Sequence, residues 1–167
     1  LQWFRENAER IEDGLKPFLA EFLGRHGSPQ DSDYLLMWLH ENSGNLVVPY
    51  IEALANLDPQ KLVAHLPPLL ASPHPYVRTR AILALHKIDP EEAVAHLSEL
   101  LASDNREEKI GGLQVAILFP FNQVSPLLMT LITEENDPAI FHLIAIILVS
   151  NPEIETVLKL LEIREIL

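Results

Sequence analysis

A fifteen-residue stretch occurs twice in the chain and constrains its fold more than any other feature. Residues 58–72 read DPQKLVAHLPPLLAS and residues 89–103 read DPEEAVAHLSELLAS, so ten of fifteen positions are identical at an offset of 31 residues. Self-similarity at a fixed period of about 20–50 residues is the sequence signature of a repeat architecture. We therefore expect stacked copies of one helical unit.

Each unit is predicted to contain two helices, A and B, joined by a short Asp-Pro turn. Asp at the N-cap accepts hydrogen bonds from unpaired backbone N–H groups, and Pro is tolerated at the first helical position. Asp58-Pro59, Asp89-Pro90 and Asn151-Pro152 follow this pattern, whereas Pro120-Phe121 lacks the polar cap. The helices predicted from apolar periodicity run over 31–43, 45–57, 60–71, 76–87, 91–102, 106–119, 122–133, 140–149 and 153–167.

The N-terminal segment lies outside this repeat. Residues 3–23 carry apolar residues at helical spacing and are predicted to form one amphipathic helix, kinked at Pro17, followed by a loop over 24–30. We interpret residues 1–30 as a capping helix and loop and residues 31–167 as the repeat array, within one structural domain. An inter-domain connection is the alternative for the first helix. Because the chain begins with leucine, we expect it to be a piece of a longer protein.

Several details of the helices also follow from the sequence. Pro67-Pro68 and Pro126 are expected to kink a helix or remove a turn. Gly111-Gly112 favours a close helix–helix approach, with a hinge as the alternative. Ile117 and Leu118 are assigned to the core, and the nearly apolar helix 140–149 is predicted to be buried on more than one side.

Charge and composition exclude several classes of function. The chain carries 24 acidic and 12 basic residues, a net charge of −12, which disfavours nucleic acid and anionic membranes as partners. The longest apolar run falls short of the ~20 residues that span a bilayer, and the absence of cysteine suits a reducing compartment. We expect a soluble, cytoplasmic protein with a protein or peptide partner of neutral or basic charge.

Residues 72–88, read as SPHPYVRTRAILALHKI, carry a family pattern. A proline two positions before Val77-Arg78, an alanine three positions after Arg78, and the following leucine and isoleucine resemble helix A of a HEAT repeat. The 31-residue period is similar to the short bacterial HEAT-like repeats also found in phycobilisome lyases. The resemblance implies an all-α fold, a right-handed α-solenoid of about four and a half helix pairs over residues 31–167.

The sequence contains no recognisable catalytic constellation. Phosphate-binding Gly-rich loops, nucleophile elbows and metal-protease patterns are missing, so we predict no enzyme activity and no cofactor. His65 and His96 occupy equivalent repeat positions, but stacked helices lie ~8–10 Å apart and zinc ligands lie ~2 Å from the ion. We therefore interpret both histidines as packing positions rather than metal ligands.

Three functional hypotheses remain, and the first is preferred. In it, the chain is a non-catalytic protein–protein interaction scaffold, a module of a larger bacterial protein, that binds its partner on the concave face of the solenoid. The helix B residues expected to contact the partner are Lys61, His65, Glu92, His96, Glu99 and Gln123.

The second hypothesis is a bilin lyase-like or other enzyme-associated subunit. Binding a bilin would require an apolar pocket with a basic group for the propionates, for which Arg78, Arg80 and Lys109 are the candidates. The third is a structural or dimerising module that self-associates through Ile163 and the terminal pair Ile166-Leu167.

Overall fold

The computed structural model describes Arg5 and residues 7–150, and within them every regular element is helical. The α-helices are α1 (Lys16–His26), α2 (Ser32–Glu41), α3 (Val48–Leu57), α4 (Leu66–Leu70), α5 (Pro75–His86), α6 (Pro90–Leu101), α7 (Arg106–Ala116), α8 (Phe121–Glu134) and α9 (Pro138–Val149). Shorter 3-10 helices span Ala8–Arg10, Asp13–Leu15, Pro29–Asp31, Gly44–Val47 and Pro59–His65. None of these described helices is long and apolar enough to cross a membrane.

The chain divides into two compact units, Leu1–Ala93 and Val94–Leu167. This helix-after-helix construction fits an α-solenoid, as the sequence predicts. The handedness, the number of repeats and the division into a cap and an array stay predictions. The predicted C-terminal helix 153–167 and its Asn151 cap lie outside the described residues.

Helix α3 is the centre of the first unit. It packs against α1, α2 and α5, and its apolar spacing places Ile51 and Leu54 fully inside. On α2, Leu35 and Trp38 are equally buried. The apolar periodicity from which these helices are predicted therefore corresponds to their buried faces.

Helices α1 and α3 approach closely at Gly24. A Cβ atom added to Gly24 would lie 2.9 Å from the Cα of Ala53, which is backbone and cannot move aside alone. We expect Gly24→Ala to lower the free energy of unfolding by about 1–2 kcal/mol, because overpacking outweighs the gain in helix propensity. Gly14→Ala is the matched control, since a Cβ there meets nothing within 4 Å. Equal denaturant midpoints for the two variants would contradict a tight α1–α3 contact.

In the second unit, α9 packs against both α7 and α8. Leu113, Leu128 and Ile144 form part of its core. A Cβ at Gly112 would lie 3.0 Å from Leu101 Cδ2 and 3.3 Å from Leu100 Cβ. This close approach of α6 and α7 confirms the packing interpretation of Gly112.

The predicted single helix over residues 3–23 is wrong for its described part. The 3-10 helix Ala8–Arg10 is followed by extended backbone at Ile11 (φ −74°, ψ 126°) and Glu12 (φ −60°, ψ 139°). Pro17 lies in the first turn of α1, where its missing N–H would be unpaired anyway. The proline therefore starts a helix and does not kink one.

The Asp-Pro caps divide into two kinds. Asp89 Oδ1 accepts from the backbone N–H groups of Glu91 and Glu92 at 3.1 and 3.0 Å, and Asp137 accepts from Ala139 N at 2.8 Å. Asp58 makes no such side-chain bond. Its backbone (φ −156°, ψ 77°) departs from the β conformation usual for an N-cap, so the predicted cap at Asp58 is wrong.

The prolines also behave differently from one another. Pro67-Pro68 splits the second helix B into the 3-10 helix Pro59–His65 and the five-residue α4, which confirms the expected interruption. Pro120 precedes α8 without a side-chain cap, as predicted, while α8 continues unbroken through Pro126. The loss of a turn expected at Pro126 is therefore wrong, and the alternative, a kink, stays a prediction.

Two core predictions fail because helices end or rotate differently than the pattern suggests. Helix α7 ends at Ala116 rather than near Phe119, so Ile117 and Leu118 are about 60% exposed (62% and 61%) and Phe119 is buried in their place. Helix α9 buries Ile140, Ile144, Ile147 and Leu148 but exposes Leu143, Ile146 and Val149. It has one buried face rather than several.

Candidate functional site

An apolar groove runs along the outer face of α1 and the segment before it. Its volume is about 630 Å³. The residues that line it are Asn7, Arg10, Ile11, Glu12, Leu15, Phe18, Leu19 and Phe22.

The groove exists because α1 is apolar on two sides. Ala20, Leu23 and Gly24 face the first unit's core and are buried or half-buried. Leu15, Phe18 and Phe22 follow the i, i+3, i+7 spacing of a second stripe. Their exposed fractions are 53%, 71% and 49%. Such a contiguous apolar patch is typical of interaction surfaces, and aromatic side chains dominate binding energies at them.

The charged groups on α1 near this stripe are paired within the protein. Lys16 Nζ lies 2.7 Å from Asp13 Oδ1 and 2.8 Å from Glu41 Oε2, and these two carboxylates raise the pKa of Lys16. Arg25 Nη2 lies 2.7 Å from Glu21 Oε1. An incoming apolar segment would therefore meet ion pairs along α1, whereas Arg10 and Glu12, in the segment before α1, add one charge of each sign to the lining of the groove.

Phe18 also borders a second depression, between α1 and α3. Its volume is about 330 Å³. The residues that line it are Pro17, Phe18, Glu21, Gly24, Arg25, Pro49, Glu52, Ala53 and Asn56. Phe18 is thus the side chain common to both depressions of this face.

The second unit has a smaller apolar pocket, of about 160 Å³, where α7, α8 and α9 meet. Ala116, Ile117, Phe119, Phe121, Val124, Ile146, Ile147 and Ser150 line it. Ile117 and Ile146 are exposed and line this pocket. The side chain of Ile117, which the apolar pattern predicts to lie in the core, is therefore part of a surface pocket.

Of the six partner-contacting residues predicted from the sequence, two are engaged with α2. Lys61 Nζ lies 2.5 Å from Asp33 Oδ1, and His65 Nδ1 lies 3.4 Å from His40 Nε2. His65 therefore meets a histidine that the repeat comparison does not suggest. Both residues belong to the first unit.

The other four predicted residues lie on α6 and α8. His96 Nδ1 and Glu99 Oε2 are 3.2 Å apart on the same turn of α6, and both belong to the second unit. Glu92 is exposed and lies in the first unit. Gln123 is half-buried at the start of α8. Their use as a partner-binding surface stays a prediction.

The three basic residues considered for a bilin pocket each have a partner inside the protein. Arg78 donates to the Ser72 carbonyl at 2.5 Å, and Arg80 lies 3.1 Å from Glu52 Oε1. Lys109 Nζ lies 2.8 Å from Glu135 Oε2. Burial works against ionisation of Glu135, yet the Lys109 ammonium and backbone N–H groups hold its pKa below the usual range. None of the three basic residues lines the depressions described above.

Within residue 5 and residues 7–150, no group of three or more His, Cys, Asp or Glu side chains is arranged to hold a metal ion. A site in this part of the chain would need ligands from elsewhere or a smaller donor set.

Comparison with known proteins gives one match. Residues 50–116, from within α3 to the end of α7, match the family model described as HEAT repeats. No curated protein and no solved structure shows significant similarity to the chain. The match supports a HEAT-like repeat family, and the narrower similarity to phycobilisome lyases stays a prediction.

Proposed function

We propose that this chain is a non-catalytic protein–protein interaction scaffold. HEAT repeats are commonly scaffolds of this kind, and residues 50–116 match them. Stacked helix pairs suit the task because each helix is held by its neighbours, so the surface they present is already ordered before a partner arrives.

The observation that carries the proposal is the exposed apolar stripe formed by Leu15, immediately before α1, and by Phe18 and Phe22 on α1. A side chain that is half or more exposed has apolar area left to bury, and each of these three would contribute roughly 1–2 kcal/mol on contact with a partner. The same helix is fixed from behind by its close approach to α3 at Gly24. The groove therefore loses little conformational freedom when it is filled.

The occupant that fits is an amphipathic helix of a partner protein. An apolar groove along one helix can bind the apolar face of another helix. The residues of the bound helix that contact the groove are spaced i, i+3 or i+4, and i+7. The chain's net charge of −12 repels acidic partners at long range. The partner helix is accordingly neutral or basic outside its apolar stripe.

The polar helix B residues are a second proposed contact surface. Glu92 and Glu99 are exposed carboxylates on α6, and they would favour a basic peptide. This surface would bind basic side chains of a partner, whereas the groove would bind apolar ones. Substitutions in each surface therefore distinguish the two. Glu92→Lys/Glu99→Lys reverses the charge on α6, whereas Phe18→Ser/Phe22→Ser removes the aromatic side chains of the groove.

A displayed library of helical peptides, selected on the purified chain, tests the proposal. We expect the recovered peptides to share an apolar i, i+3/i+4, i+7 pattern and to lose binding to the Phe18→Ser/Phe22→Ser variant. Because both phenylalanines are exposed, far-UV circular dichroism of that variant should match the parent. Recovery of no peptide family, or of peptides that bind both proteins equally, would contradict the groove as the binding surface.

A further inference from the structure

Two histidine rings face each other on the surface of the first unit. His40 lies in the last turn of α2, and His65 is the last residue of the 3-10 helix Pro59–His65. His40 Nε2 and His65 Nδ1 are 3.4 Å apart, and the ring centroids are separated by 4.8 Å at an interplanar angle of 67°. His40 is exposed and His65 is half-buried, so the pair is open to solvent ions.

The separation of the two nitrogens matches an edge of a tetrahedral metal site. With metal–nitrogen bonds of about 2.0–2.1 Å, two imidazole nitrogens on one tetrahedral ion lie about 3.3–3.4 Å apart. The two side chains need no large movement to reach that distance. Imidazole is a preferred ligand of zinc, copper and nickel ions, and affinity among these divalent ions is highest for copper.

The local field also favours a cation. His40 lies in the last turn of α2, where the last carbonyl groups carry partial negative charge. Lys61, four residues before His65, forms an ion pair with Asp33 at 2.5 Å. The chain as a whole is strongly acidic.

We propose that His40 and His65 form a two-histidine binding site for a divalent transition-metal ion. In the hydrogen-bonded pair one of the two facing nitrogens carries the proton. On metal binding that ring changes tautomer through solvent, so its proton moves to its other nitrogen. Each facing nitrogen then gives its lone pair to the ion, and two metal–nitrogen bonds replace the hydrogen bond between the rings. Water, or a side chain of a bound partner, completes the coordination. The ion ties the end of α2 to the segment that precedes α4.

The partner of His65 is not the histidine at the equivalent position of the next repeat. The repeat offset aligns His65 with His96, one repeat away, whereas the structure places His40 of the preceding helix beside His65. His96 pairs instead with Glu99 on its own helix. The proposed site is therefore local to the first unit.

The test uses Cu²⁺ as a paramagnetic probe of the purified chain, followed by imidazole NMR signals. We expect substoichiometric Cu²⁺ to broaden the His40 and His65 signals before those of the other histidines. Either His40→Gln or His65→Gln should weaken Cu²⁺ affinity by at least about tenfold. The double variant should bind no more weakly than the weaker single variant, because loss of either ring already removes the chelate.

His142→Gln, an exposed histidine on α9, is the matched control and should leave the affinity unchanged. A parallel titration with Zn²⁺ should raise the melting temperature of the parent and the control but not of the two single variants. Broadening that begins at other histidines, or equal Cu²⁺ affinity in all variants, would overturn the site.

Discussion

Replacing Asp31 by alanine should lower the free energy of unfolding by about 2–4 kcal/mol, because a buried carboxylate that accepts several hydrogen bonds is lost while its partner Arg5, 37% exposed, can be hydrated. The Asp31 side chain is completely buried. Its carboxylate accepts from Arg5 Nε at 2.7 Å and Arg5 Nη2 at 3.0 Å, and from the Ser28 backbone N–H at 2.9 Å. The substitution would leave the Arg5 guanidinium and the Ser28 amide without their acceptor. Denaturant unfolding followed by circular dichroism measures the loss.

Asp33→Ala is the matched control, two residues further along. The Asp33 side chain is 76% exposed and pairs with Lys61 at the surface. Such exposed pairs contribute about 0–1 kcal/mol, so this variant should unfold close to the parent. Similar losses for the two variants would mean that the Arg5–Asp31 contact does not hold the N-terminal segment in place.

The same contact makes stability depend on pH in acid. The hydrogen bond from Arg5, opposed by burial and helped by Ser28, lowers the pKa of Asp31 from 3.8 to about 2. A lowered pKa stabilises the folded state above the unfolded value, and this stability is lost as the pH falls from about 4 to about 2. The contribution of Asp31 to this loss should be on the order of 2 kcal/mol, so Asp31→Asn should lose less stability between these pH values than the parent.

Replacing Trp38 by alanine should destabilise the first unit by a similar amount, about 3–5 kcal/mol. Trp38 is fully buried on α2, and its ring lies 6.0 Å from that of Tyr50 on α3, centroid to centroid. Tyr50 is 1% exposed, and this burial raises the pKa of its phenol group. Alanine would leave a cavity between the two helices. Circular dichroism is the suitable readout because the substitution removes one of the chain's two tryptophans.

Trp38→Phe serves as the comparison because it keeps an aromatic ring against Tyr50. We expect a clearly smaller shift of the denaturant midpoint for phenylalanine than for alanine. Equal shifts would show that the contact with Tyr50 contributes little and that the indole is held by other groups.

The repeat and its apolar periodicity predict the helices and most of the core. Leu35, Trp38 and Leu54 are buried as the pattern requires, because an amphipathic helix has one way to bury its stripe. Helix ends are less predictable. Asp58-Pro59 and Asp89-Pro90 are the same dipeptide, yet only Asp89 caps its helix, since the prolines at 67 and 68 leave a 3-10 helix after Asp58.

The groove could not be predicted from periodicity alone. Apolar spacing groups Leu15, Phe18 and Phe22 with Leu19 in one long amphipathic helix and does not distinguish which of them are exposed. The backbone is extended at Ile11 and Glu12, and a new helix, α1, begins at Lys16. This interruption changes which face of α1 packs against α3. The usable signal was that apolar residues cover more than one face of this helix.

The His40–His65 contact is hidden for a related reason. Comparison of repeats aligns equivalent positions, and these histidines are not equivalent. They lie on neighbouring segments that meet only when Pro59–His65 folds against the end of α2. Contacts between non-equivalent positions of adjacent helices depend on how the helices pack. The 31-residue offset identifies equivalent positions only and therefore does not predict such contacts.

The most direct test of the scaffold proposal is a calorimetric titration of one library-selected peptide into three proteins. We predict that Phe18→Ser/Phe22→Ser weakens binding at least about a hundredfold relative to the parent, as loss of two aromatic anchors would. Glu92→Lys/Glu99→Lys should bind the same peptide within about threefold of the parent, because those carboxylates lie outside the groove. Undiminished binding by the Phe18→Ser/Phe22→Ser protein would contradict the account.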